Sequence, residues 1–204
     1  MTSRQWGPID PNPPPLLLAS GSPRRRELLA RLGVRFTIHS PDIDERPQPD
    51  EDPVAYVERL ARLKARVVST MWARKPDQIV LAADTTVALG GRIYGKPENR
   101  AEAEEILAAL AGKRHEVLTA VALKNQDWIE VALSTSEVTL KALSRDDIAQ
   151  YVASGESDDK AGAYGIQGRA ARFVVEIRGS YSGIMGLPLF ETGQLIDRRL
   201  DRSR

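Results

Sequence analysis

The sequence predicts an α/β fold built on a mixed sheet, and three observations lead there. Short apolar runs alternate with amphipathic stretches of helical period. Those stretches open on cap residues: Ser22 before Pro23, Asp52 before Pro53, Asn99 and Ser144. Gly90-Gly91 and the turn from Lys124 to Asp127 join strands as hairpins, which an all-parallel sheet would not contain.

Taken in order, Leu16 to Ala19 is fully apolar and reads as a buried strand. Ser22 caps a helix whose stripe is Leu28, Leu29 and Leu32 and whose stop is Gly33. Val34 to Ser40 is a second strand. The helix opened by Asp52-Pro53 carries Val57, Leu60, Ala61 and Val68 on one face. Gln78 to Ala83 is a third strand, and Val87 to Leu89 with Arg92 to Tyr94 flank the glycine pair. Asn99 and Glu102 form a capping-box variant for a helix that runs through Leu110 and stops at Gly112. His115 to Leu123 and Trp128 to Leu140 read as a pair of long strands. Ser144 with Asp147 starts a helix ending near Gly155, Arg172 to Ile177 is a strand, and Tyr181 to Pro188 turns into a last helix through Leu195, Ile196 and Leu200. No internal repeat is present.

Composition narrows the class. The 204 residues suit one domain, at 42% hydrophobic and 28% charged, which is neither a disordered nor a membrane composition. No apolar run approaches the roughly 18 residues of a membrane span. A net charge of +1 gives no reason to bind a nucleic-acid polymer. The absence of cysteine removes disulfides and thiolate metal sites, and fits a reducing cytoplasm. Residues 1–15 are Pro-rich without an apolar signal segment and read as an extended arm, leaving 16–204 as a single domain.

Five places carry candidate chemistry. Ser20-Gly21-Ser22-Pro23-Arg24-Arg25-Arg26 joins a buried strand to a helix start, where free N–H groups and the helix dipole suit an anion. Arginines in a first helical turn oppose that dipole, so a phosphate completes the pattern; a solvated basic turn is the alternative. Asp42-Ile43-Asp44-Glu45 offers oxygen ligands for Mg2+ or Mn2+, or else is a polar loop. Lys64 lies on the inward stripe of its helix and must snorkel or meet an anion. Asp84, ending an apolar strand, suits a metal or a proton in transit, and Lys96 between Gly95 and Pro97 suits a phosphate; a cap-like Asp and a surface Lys are the alternatives. The Gly-rich stretch 154–168 presents Gln167 to a base or a phosphate, with an amide that both donates and accepts and can satisfy a pyrimidine edge; a disordered linker is the alternative. His39 and His115 read as packing residues, and neither a Walker loop nor a dinucleotide fingerprint is present.

In this order the motifs resemble the Maf family of nucleotide pyrophosphatases. The matching pieces are LASGSPRRRELL at 18–29, DIDE at 42–45, LARLKA at 60–65, AADTTV at 82–87, GKP at 95–97, SGESDDKAGAYGIQG at 154–168 and GLPL at 186–189. The resemblance implies two lobes flanking a central groove, similar to inosine triphosphate pyrophosphatases. It also implies a homodimer, a divalent cation, and hydrolysis between the α- and β-phosphates. Asp84 matches the family's catalytic proton acceptor. Arg25, Glu45, Lys64 and Lys96 match its phosphate- and metal-handling set, with Ser20 and Ser22 in the same loop and metal expected on Glu45 and Asp84. Arg24, Thr85 and Gln167 match positions tied to substrate choice. They follow the dTTP/UTP pattern, whereas the sister group favouring 7-methyl-GTP has Trp and Glu in place of Arg24 and Gln167. Modified pyrimidine nucleotides join the expected substrates. Ala111, Ala120 and Gly183 depart from residues common in the family. The rival readings are a nucleotide-binding regulator of septum formation, a nucleotidyltransferase, and an RNA-binding module.

Overall fold

The computed structural model describes residues 16–72 and 78–201; the Pro-rich arm at 1–15 lies outside them. In chain order the elements are β1 (Leu16–Leu18), α1 (Pro23–Ala30), β2 (Phe36–Ile38), α2 (Pro53–Met71), β3 (Ile79–Leu89), β4 (Arg92–Tyr94) and α3 (Arg100–Leu110). There follow β5 (Arg114–Lys124), β6 (Ile129–Leu140), α4 (Arg145–Ala153), β7 (Val174–Arg178), α5 (Tyr181–Ile184) and α6 (Leu189–Asp201), with short 3-10 turns at Ala161–Ala163 and Arg169–Phe173.

The seven strands form one sheet in the order β2-β1-β3-β5-β6-β7, with β4 also on β3. β1 runs parallel to β2 and β3, and all other pairings are antiparallel, so the sheet is mixed as expected. The caps work as the sequence suggests. Asp52 accepts from Val54 and Ala55 N–H, Asn99 from Glu102 N–H, and Ser144 and Asp147 close a full capping box.

Strand alternation sorts the core. Val80, Ala82 and Ala88 of β3 face α2, whose Val57, Leu60, Ala61 and Val68 are fully buried against them. Leu81 and Ala83 point the other way, toward Leu28 and Leu29 of α1 and Leu195 of α6. A third cluster joins α3, α4 and the 161–173 turns beneath Val87 and Val117.

One topological feature positions the site. β1 pairs with β3 only from Ile79 to Leu81, and β4 takes over the same edge only from Val87 to Leu89. Between these, residues 82–86 of β3 keep β5 on one side and have an open edge on the other. β1 leaves after Ala19, whose N–H donates to Leu81 O at 2.7 Å, and turns through Ser20-Gly21-Ser22 into α1. Gly21 permits the turn, since a Cβ there would stand 3.0 Å from Ser40 Oγ.

The second strand is shorter than Val34 to Ser40, spanning Phe36–Ile38, and the turn from Tyr181 holds the short helix α5; two further boundaries differ from the sequence reading. The third strand does not stop at Ala83. It continues to Leu89, held by unbroken pairing to β5, so Asp84 stands mid-strand at a gap in the sheet rather than at a strand end. The segment Arg172 to Ile177 is strand only from Val174, because Arg169–Phe173 coils into a 3-10 turn that buries Ala170 and Phe173.

Candidate active site

The open edge of β3 forms the floor of a cleft of about 330 Å³, walled by the Ser20–Arg25 turn, Glu45, α2 and Lys96. Asp84 and Thr86 point to the α2 side of the sheet and Thr85 to the other, as strand alternation requires.

Lys64 is the centre of the charge arrangement. Its ammonium lies 2.6 Å from Asp84 Oδ1 and 2.6 Å from Glu45 Oε1. The inward lysine therefore meets anions rather than snorkelling. Lys96 Nζ, more exposed, reaches the other oxygen of Glu45 at 3.2 Å. The Tyr56 hydroxyl donates to the backbone carbonyl of Glu45 at 2.8 Å, fixing the loop that brings this residue in. Burial raises the pKa of Asp84, with Lys64 and Arg25 opposing. Burial also works against ionised Glu45, but Lys64 and Lys96 outweigh it and the net shift is downward.

Arg25 approaches the floor from α1. Its Nε donates to Gly186 O at 2.8 Å, Nη1 to Ser20 Oγ at 3.3 Å and Nη2 to Thr85 Oγ1 at 3.2 Å. All three acceptors are neutral, and among the described residues no carboxylate lies within salt-bridge reach. Burial lowers its pKa, while the charges of Asp84 and Glu45 act in the other direction. A half-buried guanidinium satisfied only by neutral oxygens favours the arrival of an anion. Ser20 is buried and also accepts from Ser22 N–H at 3.2 Å; Ser22 caps α1 through Arg25 N–H.

A smaller recess of about 80 Å³ opens from the same mouth and is lined by Arg24, Thr85, Tyr164, Ile166, Gln167 and Met185, among others. Arg24 is held there by Asp159 at 3.3 Å. The sequence candidates thus converge: Ser20, Glu45, Lys64 and Asp84 line the larger cleft, Ser22, Arg24, Arg25, Thr85 and Lys96 line both, and Gln167 lines the recess. In the acidic stretch only Glu45 enters the cleft; Asp44 turns away onto Arg46 at 2.6 Å. The histidines stand apart from it, His115 being buried against the Tyr164 hydroxyl at 2.8 Å.

Some cleft residues were not singled out in the sequence. Tyr56 could have been, since 56, 60 and 64 fall on one helical stripe. Asp159 and the carbonyl of Gly186 had no local signal, because they meet Arg24 and Arg25 only through the tertiary fold.

The described residues hold no group of three or more His, Cys, Asp or Glu side chains arranged for a metal. Two carboxylates sharing one ammonium is still a donor set that suits Mg2+ or Mn2+, because such ions commonly take one or two carboxylates and complete their shell with substrate phosphate and water. Glu45 and Asp84 are the residues able to do this.

These features describe an α/β protein with a cationic cleft, floored by a buried carboxylate, built to grip a polyanion. The chain belongs to the family described as Maf-like protein, whose model matches residues 15–199. A dTTP/UTP pyrophosphatase of Aromatoleum aromaticum is 51% identical over 193 residues, covering 89% of this chain and 94% of that protein. One from Methylobacillus flagellatus is 54% identical over 190 residues, covering 92% and 94%. Among solved structures, the Ham1 protein of Staphylococcus aureus is similar at a TM-score of 0.42 and 16% identity, covering 61% of this chain and 71% of that one. At that level the structural likeness bears on no residue of the site.

Proposed function

We propose that this chain is a nucleoside triphosphate pyrophosphatase that hydrolyses dTTP and UTP, and modified pyrimidine nucleotides of the same shape, to the monophosphate and pyrophosphate. The observation that carries the reading is the convergence of Arg25, Lys64 and Lys96 with Glu45 and Asp84 in one cleft. The names of the relatives at about half identity supply the substrate class.

The triphosphate lies along the Ser20–Arg25 turn. Arg25 exchanges neutral acceptors for phosphate oxygens, and Lys64 and Lys96 draw charge from the departing pyrophosphate. Asp84 accepts a proton from the water that attacks the α-phosphorus, a role that its raised pKa brings closer to working pH. Glu45 and Asp84 would hold a divalent cation, and its chemistry there would be to neutralise phosphate charge. Arg24, Thr85 and Gln167 line the recess that takes the base. Residues 16–204 act as one catalytic domain, in a cytoplasmic homodimer; no described helix is long and apolar enough to cross a membrane.

The test is pyrophosphate release from dTTP with Mg2+. The wild type turns over, and Asp84→Asn loses about a thousandfold in kcat while keeping its unfolding transition. Wild-type-like turnover in Asp84→Asn removes the proposed role, and binding of dTTP without turnover by the wild type removes the enzymatic reading.

A further inference from the structure

We infer that Glu156 is the positioning residue for base selection: its carboxylate clamps both flanks of the segment that presents Gln167. The inference rests on the proposed base-recognition role of Gln167.

Gln167 sits on a stretch with almost no regular structure, between the 3-10 turns Ala161–Ala163 and Arg169–Phe173. Such a stretch needs ties from elsewhere to hold an amide at one height and angle. On the C-terminal flank, Arg169 N–H donates to Glu156 Oε2 at 2.9 Å. On the N-terminal flank, Gly165 N–H donates to the Tyr151 hydroxyl at 3.0 Å, which in turn donates to Glu156 Oε1 at 2.9 Å. One carboxylate therefore fixes the chain two residues on either side of Gln167. Burial raises the pKa of the Tyr151 phenol, so it remains a donor throughout.

The glycines record how closely the chain wraps this side chain. A Cβ on Gly165 would stand 3.0 Å from Glu156 Oε1, and one on Gly168 would overlap the carboxylate outright. Both are thus required by the clamp rather than by a positive φ. Glu156 also receives its neighbour: Lys160 Nζ donates to the Glu156 carbonyl at 2.7 Å and reaches Asp159, which holds Arg24. Of the three side chains proposed to meet the base, Arg24 and Gln167 are tied to one short loop, and Thr85 stands on β3.

The clamp acts on recognition rather than on the reacting phosphate, so its removal shows in the choice between bases. UTP and CTP share sugar and phosphates and differ on the edge that an amide reads. Glu156→Gln keeps the size but loses one of the two acceptors. The expected result is a fall of about tenfold in the ratio of kcat/KM for UTP over CTP, carried by a rise in KM for UTP, with kcat changed less than about threefold. Tyr151→Phe cuts one arm only and gives an intermediate ratio. An unchanged ratio alongside a lowered melting temperature makes Glu156 a merely structural tie and overturns the inference. An equal loss of kcat for both substrates overturns it as well. Failure of the wild type to cleave UTP, or cleavage of UTP and CTP alike, counts instead against the proposed function.

Discussion

The two ends of the cleft are built differently. The end proposed for the polyphosphate draws Arg25, Lys64 and Asp84 from α1, α2 and β3, and its central contacts are charge on charge at 2.6 Å. The end proposed for the base draws Gln167 from an irregular loop, held by hydrogen bonds to Glu156 and Tyr151. The difference teaches where each demand is met. Charge stabilisation needs groups that do not reorganise, and regular elements supply Arg25, Lys64 and Asp84, with Glu45 and Lys96 joining them from loops. Discrimination between bases needs a particular edge presented at a particular height, and a pinned loop can be changed for this without disturbing the sheet.

The largest expected contrast comes from removing divalent cations. Chelation should abolish turnover of dTTP, yet leave the melting temperature of the free protein within a degree or two, because Lys64 and Lys96 already pair with Glu45 and Asp84. Thermal scans with and without chelator check it; a large fall in stability would mean that the charged end depends on metal for its fold.

Lys64→Met sharpens the contrast from the protein side. It strands a buried carboxylate, so it should cost on the order of 2 kcal/mol in denaturant unfolding, discounted because half-exposed Glu45 can turn to solvent. Lys64 holds down the pKa of Asp84, so its loss raises that pKa further. The acid limb of residual kcat/KM should therefore move to higher pH.

Behind the loop end, on β5, His115 adds a pH dependence to stability. Burial pushes His115 down to about 4 from 6.5, and its ring bonds the Tyr164 hydroxyl behind the recess. The unfolded chain takes up the proton first, so this stability is complete above pH 6.5 and is lost as pH falls toward 4. The loss totals about 3 kcal/mol. Denaturant midpoints across that window measure it, and His115→Gln should flatten the slope.

The smallest effect is expected at the mouth. The Arg24–Asp159 pair is exposed on the Asp side, and such pairs contribute about 0–1 kcal/mol. Asp159→Asn should alter KM for dTTP by no more than about fivefold; a larger change would make Asp159 a direct contact of the base rather than a tie on Arg24.

Much of the charged end was legible in the sequence for local reasons. Ser22-Pro23 announces a helix start, the 57-60-64 spacing turns Lys64 inward, and the apolar run before Asp84 marks a buried strand. What the sequence did not carry was partnership. Nothing near Asp84 reveals that β1 and β4 leave its edge open, so the pattern ends the strand where it only loses a neighbour. Asp42, Asp44 and Glu45 are chemically alike, and only the contacts from Tyr56, Lys64 and Lys96 select Glu45. The loop end was legible as a motif but not as a mechanism. Glu156 and Gly168 lie twelve residues apart, and their close packing follows from a fold-back without periodicity.

The most direct test of the account is hydrolysis of dTTP in heavy-oxygen water, with both products weighed by mass spectrometry. If Asp84 directs water to the α-phosphorus, the label appears in dTMP and none enters pyrophosphate. Label in pyrophosphate, or release of inorganic phosphate in its place, would contradict the geometry of attack proposed for the cleft.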